Sequence, residues 1–287
     1  MMDLQKYDEK KLKEAQLVSL EILLKLDEIC RANGIKYLLD SGTLIGAVRH
    51  KGFIPWDDDI DIAMTRENFE HFKRLIKENK NLLPDNMELI LPDEYRGGEA
   101  FYDFTPRIVY LNSKRRTADE ESLYYEGKLN HLWVDIFIID EISDNAFLDG
   151  LTRLKQKMIY GASMPRRYGI SYSKYSFIDK LKVGVLSFGK YFFSMPRLFK
   201  MQEKLSRKYA GKGTKRVYYS NYQPDYLYVT LERNWCSEVT ELMFEGHMLM
   251  APKEYDKVLK EVYGDYMQLP PDDKRIPSHN SENLEIF

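Results

Sequence analysis

Along residues 9 to 33 apolar side chains return every three or four positions, at Leu12, Ala15, Val18, Ile22, Leu26 and Ile29. That spacing predicts an amphipathic helix. Asn33-Gly34 is a fitting stop, because both residues tolerate the left-handed turn that ends helices. The period then shortens. IKYLL (35 to 39) reads as a buried strand, and DSGTLIGAVRHKG follows, with Gly42 and Gly46 bracketing a short helical turn. IDIAM (60 to 64) has strand character, and Thr65 is placed to cap a helix carrying Asn68, Phe69, Phe72, Leu75 and Ile76. NMELILP and DFTPRIVYL read as further strands. The strongest strand signal is LNHLWVDIFIID (129 to 140), where Trp133, Val134, Ile136, Phe137, Ile138 and Ile139 surround one charge, Asp135.

From about 144 to 210 the pattern turns mostly helical, with 165 to 182, rich in Arg, Tyr, Ser and Lys, as a loop or hinge. Strand-like runs return around 216 to 250. The Pro-rich, polar end (263 to 287) reads as an extended surface tail. The fold class expected is α+β: a mixed sheet flanked by helices, with a mostly helical middle and C-terminal part. Three units are expected: a core over 1 to 143, a mostly helical segment over 144 to 240, and a C-terminal unit over 241 to 287 packing back on the core. VGVLSFGKYFFSM (183 to 195) is too short to span a bilayer and holds Lys190. A buried helix is its first reading; the second is peripheral membrane contact, given the flanking Arg197 and Lys200.

Composition narrows the function classes. Hydrophobic residues make up 44% and charged residues 31% of the 287 positions, so the chain can build a core. A net charge of −2 supplies no field for nucleic acid or an anionic surface, so phosphate recognition must be local and nucleic acid is not an expected partner. Two cysteines, Cys30 and Cys236, without metal-type spacing, argue for a reducing, cytoplasmic setting. The polar first residues do not resemble a signal peptide.

One stretch conflicts with simple electrostatics. FIPWDDDIDIAM (53 to 64) sets Asp57, Asp58, Asp59 and Asp61 beside an apolar strand. Two like charges roughly 4 Å apart repel by about 4 kcal/mol at an effective dielectric near 20. A solvated acidic turn is the plain reading, but it gives no reason for the flanking Pro55-Trp56 and apolar strand. An EF-hand fails, because its sixth position needs Gly and holds Ile62, and its twelfth needs Glu and holds Asn68. The Asp-x-Asp of a nucleotide-sugar glycosyltransferase stays open. So does a nucleotidyltransferase-type metal site. There Asp59 and Asp61 share one strand face and grip Mg²⁺ while Ile60 and Ile62 point into the core. Gly42-Thr43 supplies a helix-opening turn for phosphate, and Asp135 supplies a third carboxylate, unless it is a satisfied buried Asp.

YLLDSGTLIGAVRHKGFIPWDDDIDIAM (37 to 64) resembles the signature of the LicD family of phosphotransferases. The similarity continues more loosely through RIVYLNSKRRT and LWVDIFIID, and returns in FEGHMLMAPKEYDKVLKEVYGDYMQLPP (244 to 271). The zinc-binding insertion of the fukutin-related relatives is not seen. The resemblance implies a nucleotidyltransferase-like fold. It also implies transfer of an alcohol-phosphate from a CDP-alcohol, such as CDP-choline, to a hydroxyl of a surface glycan or lipid-linked glycan, releasing CMP.

On that reading the catalytic residues are Asp59, Asp61 and Asp135. Asp57, Asp59, Asp61 and Asp135 are the ligands of Mg²⁺ (or Mn²⁺), with Asp135 open between ligand and base. Gly42, Thr43, Arg49, Lys51 and Arg115 are the candidate substrate contacts. His50, Lys114 and Arg116 are weaker ones, because such side chains are mostly solvated. Tyr263, Gly264 and Tyr266 are expected to pack. The setting implied is cytoplasmic, at the inner face of the membrane where the acceptor requires it.

Overall fold

The computed structural model describes residues 8–115, 130–167, 184, 189–277 and 284–287. Helix α1 spans Glu9–Ala32, capped by the Asp8 carboxylate on the Lys10 and Lys11 N–H groups. It ends where expected: the Asn33 N–H returns to Arg31 and Cys30, and Gly34 takes a φ of 66°. Its buried face includes Leu12, Ala15, Ile22, Leu26 and Ile29. Helix α2 is Ser41–Arg49, and α3 is Arg66–Glu78, with the Thr65 hydroxyl capping Asn68 N–H as the sequence predicts.

Seven strands form the main sheet: β1 Leu38–Leu39, β2 Ile60–Thr65, β3 Met87–Ile90, β4 Arg107–Tyr110, β6 Leu132–Glu141, β7 Arg216–Tyr219 and β8 Leu231–Glu232. A short β5, Ser113–Arg115, lies outside it and pairs with β11, Leu284–Ile286. Helix α4, Ala146–Ser163, and α5, Met195–Ser206, follow β6 and precede β7. Strands β9, Val239–Phe244, and β10, His247–Pro252, form a hairpin, and α6, Tyr255–Tyr263, comes after it.

Strand β6 organises the sheet. It runs parallel to β2 on one edge. Its other edge is divided: β4 pairs with Leu132 to Asp135, and β7 pairs with Ile139 to Glu141. Between them, among the described residues, no strand reaches β6 along that edge, so its backbone polar groups need other partners. Pro106 O accepts from Ile136 N–H (2.9 Å). Ile138 O accepts from Ser220 N–H (2.9 Å). The buried Asn221 side chain supplies two more: its Oδ1 accepts from Ile138 N–H (2.7 Å) and its Nδ2 donates to Ile136 O (3.1 Å).

Strand alternation sorts β2 and β6 into two faces. Ile60, Ile62, Val134 and Ile136 are fully buried in the core on one. Asp61, Trp133, Asp135 and Phe137 are half-buried on the other. The mixed sheet with flanking helices matches the expected class. Some expectations need correction. In 35 to 39 only Leu38 and Leu39 join the ladder, because Ile35 N–H returns to Cys30 O and Lys36 N–H goes to the Asn68 side chain. In DFTPRIVYL the strand starts after Pro106, which has no N–H to give a ladder. The terminal segment is not simply an extended tail: it makes a turn at Asp272–Lys274 and ends by pairing with β5. Most of the expected loop at 165 to 182, and most of 183 to 188, lie outside the described residues. The part of VGVLSFGKYFFSM that is described is not a buried helix: Tyr191 and Phe192 are exposed on a single turn, Gly189–Phe192.

Candidate active site

The acidic loop is held from three sides. Gln16, buried on the largely apolar face of α1, donates through Nε2 to Asp57 O (2.8 Å). From α2, Gly42 lies so close that a Cβ there would sit 2.6 Å from Asp57 Oδ2. From the C-terminal hairpin, Glu245 and Gly246 form a two-residue turn with φ of 47° and 83°. Its tip clamps the loop that leads to Asp57: Glu245 N–H donates to Lys51 O (2.9 Å), and Glu245 Oε1 accepts from Phe53 N–H (3.1 Å). Phe53 packs edge-on against Phe244, centroids 4.9 Å apart. The FEGH stretch of the C-terminal motif therefore acts on the acidic loop across 192 residues of sequence, by the Phe53–Glu245 pairing.

Strand register then assembles a row of charges. Asp61 on β2 stands opposite Asp135 on β6, and Asp135 stands opposite Arg107 on β4. Arg107 Nε donates to Asp135 Oδ1 (2.6 Å) and its NH2 to Asp103 Oδ2 (3.0 Å). Trp133 Nε1 donates to Asp135 Oδ2 (3.0 Å). The guanidinium stacks between Tyr102 and Trp133, 5.0 Å and 4.8 Å from the ring centroids. Burial disfavours its charge, yet Asp135 and Asp103 outweigh that and raise its pKa further. Asp57 and Asp59 stand beside this row.

A second unit orders the start of α2. The buried Asp40 accepts from Tyr219 OH (2.6 Å) and Tyr222 OH (3.0 Å). Asp40 N–H donates to Asp61 O (3.1 Å), and Asp61 N–H donates to Thr43 Oγ1 (2.9 Å). The side chain of Asp40 caps no N–H of the first turn. Ser41 takes a left-handed φ of 48° and lies 3.2 Å from Tyr222 OH. Such strain costs a non-glycine residue about 1–3 kcal/mol and is a common property of sites.

Electrostatics mark the cluster. Burial raises the Asp61 pKa well above the ordinary carboxylate range, and Asp59, Asp135, Asp40 and Asp57 add to it. Burial does the same for Asp57, with Asp59 and Asp58 next. Such mutual repulsion on a half-buried face is a frequent sign of a functional centre. The donor chemistry, all carboxylate oxygen, suits a hard divalent cation. Among the described residues no three His, Cys, Asp or Glu side chains already converge as a metal-ligating group.

The sequence-predicted residues separate accordingly. Asp57, Asp59, Asp61, Asp135, Gly42 and Thr43 come together. Thr43 is buried, and its oxygen is engaged with the Asp61 backbone. Arg49 turns to the C-terminal motif, donating through NH1 to Tyr266 O (2.7 Å) and through Nε to His50 Nε2 (2.9 Å). Burial, then the nearby Arg275, lowers its pKa. Lys51 is exposed, in a left-handed turn with φ 61°, and its carbonyl holds the hairpin. Arg115 pairs with Leu284 in the β5–β11 ladder; its side chain and Arg116 lie outside the described residues. Lys114 is exposed. A cavity of about 550 Å³ lined by Arg66, Phe199, Ile138 and Ser220 contains none of these carboxylates.

Sequence reasoning missed Asp40, Arg107, Tyr219 and Tyr222. Asp40 stood inside the quoted signature, and Arg107 was a charge opening a predicted strand, as Asp135 was a charge within one. The two tyrosines gave no local signal.

Residues 34–166 match the family model described as LicD/FKTN/FKRP, nucleotidyltransferase domain. A lipopolysaccharide cholinephosphotransferase, LicD, of Haemophilus influenzae is 31% identical over 284 residues, covering 94% of this chain and 97% of the relative. The chain belongs to the LicD family. It is thus a phosphotransferase of the LicD type, and its mixed sheet is nucleotidyltransferase-like. The ribitol 5-phosphate transferase FKRP of Homo sapiens matches more narrowly, 38% identical over 47 residues, 16% of this chain and 10% of that one.

Proposed function

We propose that this LicD-type enzyme moves an alcohol-phosphate group from a CDP-alcohol to a hydroxyl of a cell-surface glycan, with CMP leaving, at the row formed by Asp61, Asp135 and Arg107. The observation that carries the reading is the register that sets Asp61 against Asp135, beside Asp57 and Asp59, on one half-buried sheet face. The Haemophilus influenzae relative, named for choline-phosphate transfer and lipopolysaccharide, supports the substrate class. FKRP, named for ribitol 5-phosphate, supports an alcohol-phosphate as the moving group.

Asp57, Asp59 and Asp61 would hold Mg²⁺ or Mn²⁺. When bound, the ion would neutralise diphosphate charge and align attacking and leaving oxygens. Asp135 has both oxygens engaged by Arg107 and Trp133, yet each oxygen keeps a lone pair for a cation. We assign it to the cation rather than to the acceptor proton. The first-turn N–H groups of Gly42 and Thr43, left open by the Asp40 side chain, would meet a phosphate oxygen. Thr43 and Gln16 fix the acidic loop through its backbone, which keeps the carboxylates in place as charge develops. Arg49 serves this reading as a positioning residue that ties α2 to the C-terminal motif.

The test is a donor panel. Purified protein with Mg²⁺ and an acceptor-bearing glycan fraction is incubated with CDP-choline, CDP-ribitol or UDP-sugars, and CMP and UDP are quantified. CMP from one CDP-alcohol, lost in Asp59→Ala and Asp61→Ala, is expected. UDP instead of CMP would transfer the Asp-x-Asp pair to glycosyl chemistry. Loss of turnover in Asp135→Asn with cation binding retained would return the proton to Asp135.

A further inference from the structure

Helix α4 buries polar groups over much of its length: Asp149, Thr152, Arg153, Gln156 and Ser163 are all buried, while Ile159, Tyr160 and Ala162 near its end enter an apolar cluster. The Asp149 carboxylate is paired with Arg153 and Arg216, and Gln156 donates to Tyr218 OH (3.0 Å). Its solvent face is apolar. Phe147 is 77%, Leu154 55% and Met158 51% exposed, and Leu151 is half-buried. At 3.6 residues per turn these four side chains fall within about 40° of one line along the helix. Lys155 and Lys157, both exposed, lie about 80° to either side of that line. They are the only exposed ionised side chains of the helix. The turn Gly189–Phe192 packs against α4 and adds Tyr191 and Phe192, 72% and 73% exposed. On the neighbouring α5, Arg197 and Lys200 are exposed.

An apolar stripe flanked on both sides by lysines is the pattern of a helix lying in a bilayer interface: apolar groups enter the acyl boundary while lysine stems reach out to head-group phosphates. The uniform positive sign favours an anionic surface over a second copy of the same basic face, which would bring like charges together. We propose that α4 and the Gly189–Phe192 turn dock this protein on an anionic lipid bilayer. The contact is peripheral: no helix among the described residues is long and apolar enough to cross a membrane. This surface goes beyond the transfer chemistry and does not rest on it. It shares the Gly189–Phe192 turn with the 183 to 195 segment that the sequence suggested and adds the exposed face of α4.

The experiment is co-sedimentation of the full chain with vesicles of phosphatidylcholine alone or with about one-third phosphatidylglycerol, without donor or acceptor. Binding to the anionic vesicles, weakened by salt, is expected. Leu154→Glu/Met158→Glu should abolish it. Lys155→Gln and Lys157→Gln should each weaken it roughly fivefold, the effect of one surface lysine. All four positions are exposed, so thermal melting should match wild type. Failure of the wild-type protein to sediment with anionic vesicles would overturn the proposal, as would unchanged binding by the double glutamate variant. A dimer in sedimentation analysis that Leu154→Glu/Met158→Glu dissociates, with no vesicle binding, would assign the face to self-association and overturn it equally.

Discussion

Gly42 has no space for a side chain. A methyl there would meet the Asp57 carboxylate at 2.6 Å, a separation that forces one of them to move. Its φ is not in the left-handed region, so the constraint is the neighbour and not the backbone. Gly42→Ala should therefore cost little stability, about 1 kcal/mol, while displacing Asp57 and lowering turnover about 10- to 100-fold. Parallel melting curves and initial rates check this. Asp61 carries a different conflict. Burial, then Asp59 and the other acids, hold its pKa above the ordinary range. The folded state then keeps a proton that the unfolded chain has released, so cation-free protein should lose stability as pH rises above about 4 through the raised range. Asp57 acts in the same direction. Asp61→Asn removes that loss. Chemical denaturation in chelator at pH 7 should show the variant more stable by about 0.5–2 kcal/mol, with a flatter pH dependence and no transfer activity. At this scale Asp61 and Asp135 were legible as strand acids, because a strand period of two sets each on the face opposite its apolar neighbours; Asp59, expected on the same strand as Asp61, lies just before β2, which starts at Ile60. Arg107 was less so: its pairing depends on register between β4 and β6, which no local pattern encodes.

At the scale of elements, β6 is the strand on which the site depends, and one side chain completes it. Asn221 satisfies Ile138 N–H and Ile136 O where neither β4 nor β7 reaches. Each buried backbone group left without a partner costs about 1–3 kcal/mol. Asn221→Ala should destabilise by about 2–4 kcal/mol, read from denaturant midpoints, whereas Asn221→Asp, which keeps one acceptor, should recover part of that. The strength of β6 was plain in LNHLWVDIFIID, since its apolar residues surround a single acid. The break along its edge was not, because its partners come from far away in sequence, as the Asp135–Arg107 and Ile138–Asn221 separations of 28 and 83 residues show. Helices α1, α2 and α3 were readable from period and caps. Helix α4 was readable as a helix, but the polar residues on its buried side are visible only once neighbours define that side.

Over the whole molecule, distant segments converge on one loop. Gln16 from the first helix, Gly42 and Thr43 from the second, and Glu245 from the hairpin all hold residues 51 to 61. The sequence motifs at 37 to 64 and 244 to 271 are separate in the chain and joined in space. That junction gives a physical reason for the second motif, which sequence alone could only read as packing. Tyr219 and Tyr222 reach Asp40 across about 180 residues, beyond any local signal. In the assembled site burial and the neighbouring acids disfavour the charged forms of Asp57 and Asp61, while Arg107 serves Asp135 and Asp103. The account therefore turns on a cation. Calorimetric titration of Mn²⁺ into chelator-stripped wild type and Asp61→Asn tests it directly. Saturable binding by wild type that tightens as pH rises, and is lost in Asp61→Asn, is the predicted result. Equal binding by both proteins, or none by wild type while transfer proceeds in chelator, would contradict it.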